Sequence, residues 1–146
     1  METTLVDNAD SLVWGKLAIN AGINPLTALF EVPNGALAED ERLRQVMAAA
    51  ANEVAQVAAL RSSAALQRAA NRTVEVSRAT AANRSSMLQD VSRAAPTEID
   101  AISGAVVRFG KRLGIPTPVN EFLLRLVKAK EAGLTLNVGT LNVGTF

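Results

Sequence analysis

The chain has 146 residues, with 15 Lys plus Arg against 14 Asp plus Glu, and it contains neither Cys nor His. That is one domain's length, and the missing residues exclude disulfides, cysteine nucleophiles, Ser-His-Asp triads and nearly all transition-metal sites. A net charge of +1 and an aromatic content of 3% supply neither the field nor the stacking surface a nucleic-acid partner needs.

Apolar residues make up 49% of the chain, and many are Ala, the strongest helix former, so an all-α fold is predicted. The longest apolar run is interrupted by Asn52, Glu53 and Gln56, well short of the ~20 residues that span a bilayer. The opening METTLVDNAD lacks the basic and apolar regions of a signal peptide. A soluble, cytoplasmic protein with no membrane partner is expected.

In chain order, Asn8 or Asp10 is predicted to cap a first helix that runs to about Ile23 and is interrupted at Asn24-Pro25. Pro25 then opens a short second helix through Leu26, Leu29 and Phe30. Val32-Pro33-Asn34-Gly35 has turn chemistry, because Pro presets φ and Asn-Gly tolerates positive φ. A long helix begins around Asp40, and Leu43, Met47, Ala50, Val54 and Val57 draw one apolar stripe along it. Ser62-Ser63 marks a break. Leu66, Ala70 and Val74 suggest the next helix, with Arg68, Arg72 and Arg78 around it. Asn83 to Ser86 ends that helix or caps another carrying Met87, Leu88 and Val91.

After Ala95-Pro96, Thr97 is placed as a cap with Asp100 three residues on. The helix that follows carries Ile99, Ile102, Val106, Phe109 and Leu113 and stops at Gly114. Pro116-Thr117-Pro118 is a stiff connector, and a last helix runs from about Asn120 to near Gly133. The domain is therefore drawn over residues 1–133. Residues 134–146 form a flexible or edge-pairing tail in which Thr-Leu-Asn-Val-Gly occurs twice.

Lys16, Asn20 and Asn24 are spaced four and four, so on a helix they fall within an arc of about 80°. Their neighbours Trp14, Leu17, Ile19 and Ile23 are apolar. Such a stripe is either an ordinary solvated face or the polar line in a dry-walled cleft. In a cleft the lysine becomes a usable proton donor and the amides hold substrate oxygens. By residue type alone, Asn34 reads as a turn residue, Ser86 as a helix cap, and Glu98 as a first-turn carboxylate. No two glycines lie closer than four residues apart, so the chain has no glycine-rich nucleotide-binding turn.

Two ordered blocks carry a family resemblance. Val13-Trp14-Gly15-Lys16-Leu17-Ala18-Ile19-Asn20-Ala21-Gly22-Ile23-Asn24-Pro25-Leu26-Thr27 with Pro33-Asn34-Gly35 is the first. Ser85-Ser86-Met87-Leu88-Gln89-Asp90-Val91 with Thr97-Glu98-Ile99-Asp100-Ala101-Ile102-Ser103-Gly104 is the second. Together with Gly114-Ile115-Pro116-Thr117-Pro118 they resemble the C-terminal domain of ketopantoate reductase (2-dehydropantoate 2-reductase), from about Val6 to Lys130. Ser103 departs from the family pattern, which usually has Asn there.

The resemblance implies a multi-helix fold of the ketopantoate reductase and 6-phosphogluconate dehydrogenase C-terminal type. It also implies NADPH-dependent reduction of 2-dehydropantoate to pantoate for pantothenate biosynthesis. In that scheme Lys16 is catalytic, polarising the 2-oxo group and donating the proton. Asn20, Asn24, Asn34 and Ser86 bind substrate, and Glu98 stands at the boundary of substrate and NADP cofactor. The N-terminal Rossmann domain that would bind most of the cofactor is absent from this chain and would have to act in cis or in trans. The isolated chain is therefore expected to be inactive. Two other readings stay open: a non-catalytic helical dimerisation module, in which a homodimer shares the Leu43 to Val57 stripe, and a domain of a reductase acting on another 2-oxo acid.

Overall fold

The structure, a computed structural model, describes residues 2–59 and 68–134, and the side chains of 12–58 and 68–134. Among these residues seven α-helices follow in order: α1 (Glu2–Phe30), α2 (Asn34–Glu39), α3 (Glu41–Ala59), α4 (Ala69–Ala79), α5 (Ser86–Ser92), α6 (Ser103–Leu113) and α7 (Pro118–Glu131). Among the described residues there is no strand, as predicted. No helix among them is long and apolar enough to cross a membrane.

α1 is the central element, packing against α3, α4, α5 and α7. The sequence reading divided it at Asn24-Pro25, yet it runs unbroken for 29 residues with Pro25 inside. Asn8 and Asp10 accordingly lie within the helix rather than at its start. Proline removes one helical hydrogen bond and crowds a carbonyl, but tertiary contact overrides that penalty here. Residues 21–29 are all buried, and the Thr27 hydroxyl lies 3.0 Å from both the Ile23 and Asn24 carbonyls. Thr27 Oγ1 also shares a 2.7 Å hydrogen bond with Ser85 Oγ, tying this segment to the start of α5.

Small residues set the helix spacing. Ala18, Ala21, Ala50, Ala51 and Ala58 are at most 1% exposed, so backbones approach closely. At Gly22 an added Cβ would stand 2.8 Å from Thr73 Cγ2 and 3.0 Å from the Met47 carbonyl oxygen. Helix propensity favours Ala there by about 1 kcal/mol, but the overpacking cost of about 1–3 kcal/mol is larger because the Met47 contact is backbone and cannot move aside.

α3 follows the predicted stripe. Met47, Ala50, Val54 and Val57 are fully buried inside the chain, with Leu43 packed on the core's edge. The stripe is therefore used chiefly inside the chain, with Leu43 at its half-buried end.

Asp40 caps α3, its Oδ1 accepting from the backbone N–H of Arg42 at 2.9 Å and of Leu43 at 3.2 Å. Its carboxylate also pairs with the Arg42 guanidinium at 2.7 Å. The Arg42 hydrogen bond first, then the Leu43 N–H, hold this carboxyl well below the usual carboxylate range. A depressed native pKa contributes stability above the unfolded value near ~4 and loses it as pH falls toward the native value. Asp40→Asn keeps a capping oxygen but removes the charge, so its urea midpoint should lie below wild type at pH 7. The gap should narrow as pH drops below about 4. A gap that stays constant from pH 7 to pH 3 would show that the charge contributes nothing.

Four further features differ from the sequence reading. The inward face of α4 is Ala69, Thr73 and Ser77, not the stripe through Ala70 and Val74; Leu66 lies outside the described residues. Hydroxyls are tolerated on this face because each finds a carbonyl: Thr73 Oγ1 donates to Ala69 O at 2.7 Å and Ser77 Oγ to Asn34 O at 2.6 Å.

Positive φ falls on Glu31 (54°) rather than on Asn34-Gly35, which open α2 instead. Gly35 is needed for contact, since a Cβ there would meet Ala81 Cβ at 2.5 Å and Ala81 Cα at 2.8 Å.

α6 begins at Ser103, later than the apolar spacing suggested, and Ile99 and Ile102 reach the core from the turn before it. It ends as predicted on Gly114, which is left-handed at φ 70°. α7 starts at Pro118 in the N1 position, two residues earlier than expected. The repeated tail lies outside the described residues.

Candidate functional site

The α1 face that carries Lys16 looks across an open groove of about 620 Å³ toward the turn before α6 and the first two turns of that helix. Lys16 and Asn20 line one wall, Glu98 stands on the other, and Trp14, Leu17, Ile102 and Phe109 supply apolar surface between them. Because α1 is continuous, the arc predicted for Lys16, Asn20 and Asn24 is preserved.

Lys16, Asn20 and Glu98 are exposed, so their polar ends are free to meet a ligand. The walls behind them are dry. Trp14 is 7% exposed and sits edge-on to Phe109, ring centroids 5.1 Å apart at 71°.

Glu98 is not on a helix's first turn as the spacing suggested; it precedes α6 by five residues. Its carbonyl accepts from the N–H groups of Ala101 at 2.9 Å and Ile102 at 3.1 Å, which ties it to the start of α6. The flanking residues are tied to α7. Asp100 pairs with Lys128, and Thr97 donates to Glu131 from both its hydroxyl and its backbone N–H. Thr97 also accepts from Ile99 N at 3.2 Å. The predicted Thr97 and Asp100 cap is thus replaced by two links to the last helix.

The other three predicted residues do not line this groove. Asn24 lies one turn beyond Asn20 and is 9% exposed. Ser86 is exposed at the first position of α5, while the capping role falls to Ser85, whose Oγ accepts from Leu88 N at 3.0 Å. Asn34 is buried against α4. Its Nδ2 donates to Thr80 Oγ1 at 3.0 Å and its backbone N–H to Asn83 O at 3.0 Å, while its Oδ1 is buried without a partner.

Sequence reasoning also passed over Glu53, a buried carboxylate on α3 that accepts from Val119 N, Asn120 N and Asn120 Nδ2 at 2.8–2.9 Å. The available signal was that Glu53 is the only charged residue in the second half of an otherwise apolar and amide helix.

The groove offers an apolar wall with a cation, an amide and a carboxylate at its edges. It does not suit a dinucleotide's phosphates, because no glycine-rich turn exists in the chain to bring backbone N–H groups around them.

Fold and groove together define an all-α domain with an open groove in which a lysine, an amide and a carboxylate meet over apolar walls. A family model described as the C-terminal domain of ketopantoate reductase PanE/ApbA matches residues 8–131. The chain belongs to that family.

The 2-dehydropantoate 2-reductase of Pyrobaculum aerophilum is 41% identical over 128 residues, covering 88% of this chain and 46% of that protein. A PanE/ApbA family ketopantoate reductase from Ralstonia eutropha superposes with a TM-score of 0.73 at 32% identity, over 84% of this chain and 41% of that one. A D-mandelate dehydrogenase in complex with NADH and anilino(oxo)acetate gives a TM-score of 0.81 at 30% identity, over 87% of this chain and 54% of that one. The chain spans about half the length of the curated relatives it matches.

Proposed function

We propose that this chain is the substrate-binding and proton-donating half of an NADPH-dependent 2-dehydropantoate 2-reductase that makes pantoate for pantothenate biosynthesis in the cytoplasm. The observation that carries the reading is the meeting of Lys16, Asn20 and Glu98 in one groove, within a chain that belongs to this family.

When bound, the nicotinamide supplies the hydride. The Lys16 ammonium hydrogen-bonds the 2-oxo oxygen, draws charge toward it, and gives up a proton as that oxygen becomes a hydroxyl. The gain is electrostatic and proton-transfer stabilisation at one atom. Asn20 fixes the substrate's rotation about that contact, and Asn24 stands one turn further along the same arc. Asn34 and Ser86 are assigned to substrate on the resemblance alone. Glu98 is the residue of this chain that would touch the cofactor, whose phosphates belong to an N-terminal Rossmann domain acting in cis or in trans.

A second reading is favoured by the likeness to D-mandelate dehydrogenase: the same residues would serve reduction of an aromatic 2-oxo acid. The small side chains Ala101 and Ala105 on the groove wall leave room for either tail.

Both readings meet one experiment. The chain alone, mixed with NADPH and 2-dehydropantoate, is expected to show no steady oxidation. Joined to the N-terminal half of the Pyrobaculum relative, it is expected to turn over, with NADPH preferred to NADH and 2-dehydropantoate preferred to an aromatic 2-oxo acid. Preference for the aromatic acid selects the second reading. Steady turnover by the chain alone overturns the division into two halves.

A further inference from the structure

α6 packs chiefly on α7 and α3, and the groove is the space between α6 and α1. Within that space two rings meet. Trp14 on α1 and Phe109 on α6 touch edge to face at 5.1 Å and 71°, the arrangement their quadrupoles favour. Trp14 is anchored in the core at 7% exposure. Phe109 packs against that core, and the Arg112 guanidinium lies 5.8 Å from its ring centroid on α6's last turn.

The wall on the α1 side carries Lys16 and Asn20. The wall on the other side carries Glu98, whose carbonyl is bonded into the start of α6, so a shift of α6 moves Glu98 with it. We infer that the Trp14–Phe109 contact is a strut that sets the width of the groove and so holds Glu98 at working distance from Lys16.

Neither ring is a catalytic residue; both are positioning residues. The inference rests on the proposed reductase reading for its kinetic consequence but not for its geometry. Loss of the strut lets the walls part, and misplacement of about 1 Å between reacting groups costs up to about 100-fold in rate.

The chain has no cysteine and a single tryptophan, which makes the strut directly measurable. Spin labels on Leu12→Cys and Lys111→Cys, both exposed positions outside the groove, report the α1 to α6 distance. Phe109→Leu keeps apolar volume and removes the aromatic edge; it is expected to lengthen or broaden that distance and shift Trp14 emission to the red. Phe109→Tyr is expected to restore both.

In the chain joined to a cofactor-binding half, Phe109→Leu should lower kcat at least tenfold with KM changed far less, and Phe109→Tyr should recover it. Arg125→Ala, an exposed change on α7, should leave activity unaltered. An unchanged distance distribution in Phe109→Leu overturns the strut whatever the kinetics show. A wild-type fusion that reduces no 2-oxo acid overturns the reductase reading and leaves the distance result to decide the strut by itself.

Discussion

Lys16→Ala, made in the chain joined to a cofactor-binding half, is expected to lower kcat by about 100- to 10,000-fold, the range a positioned proton donor contributes. The fold should be indifferent to it. Lys16 is exposed on α1, and no hydrogen bond or ion pair depends on it among those the described residues form, so circular dichroism and the urea midpoint should match wild type.

Lys16→Arg separates the two parts of the role. A guanidinium keeps the positive charge and can hold the 2-oxo acid, but it does not give up a proton at neutral pH. KM should therefore stay near wild type while kcat stays low. Steady-state kinetics on the three proteins distinguish the possibilities. If Lys16→Ala retains kcat within about threefold, the lysine supplies neither the proton nor the polarisation; if Lys16→Arg alone retains it, the lysine acts by its charge and the proton comes from elsewhere.

How far the site could be read in advance depended on what kind of information each residue carries. Lys16 and Asn20 were legible because one helix presents them, and helical periodicity is a local property. Pro25 did not spoil that reading, since burial of residues 21–29 and the Thr27 hydroxyl kept α1 intact through a position where local rules call for a break. Glu98 was found by resemblance, but its place on a turn rather than in a helix follows from Asp100 and Thr97 being drawn to Lys128 and Glu131, some 30 residues distant.

The same limit explains α4. Its inward face is Ala69, Thr73 and Ser77, and nothing in the segment's own pattern announces that the Asn34 carbonyl waits for Ser77 from the start of α2. Asn34 illustrates the converse: Asn-Gly is a strong turn signal, yet the close approach of Ala81 to Gly35 demanded glycine for space rather than for φ.

Glu53 is where a missed residue has the largest structural consequence. α7 begins with Pro118 after Thr117, whose side chain makes no cap, so its first N–H groups need an acceptor from outside. Glu53 provides it across 66 and 67 residues of sequence, taking Val119 N and Asn120 N at 2.9 Å each, with Asn120 Nδ2 at 2.8 Å. A carboxylate at a helix N-terminus also gains from the helix dipole.

Glu53→Ala removes the acceptor of the fully buried Asn120 N–H, while Asn120 Nδ2 keeps only the Ala50 carbonyl at 3.1 Å. The expected cost is about 2–4 kcal/mol, from the lost charge-assisted bonds and the unpaired groups together. Glu53→Gln keeps one acceptor oxygen and should lose roughly half as much. Urea denaturation of the three proteins checks the order.

The consequence extends to the groove. α7 holds the turn on either side of Glu98 through Lys128 and Glu131, so loosening its start should also raise KM in the joined enzyme for the Gln variant, which still folds. A loss below about 0.5 kcal/mol in Glu53→Ala would mean that water reaches the α7 terminus and that Glu53 is not its cap.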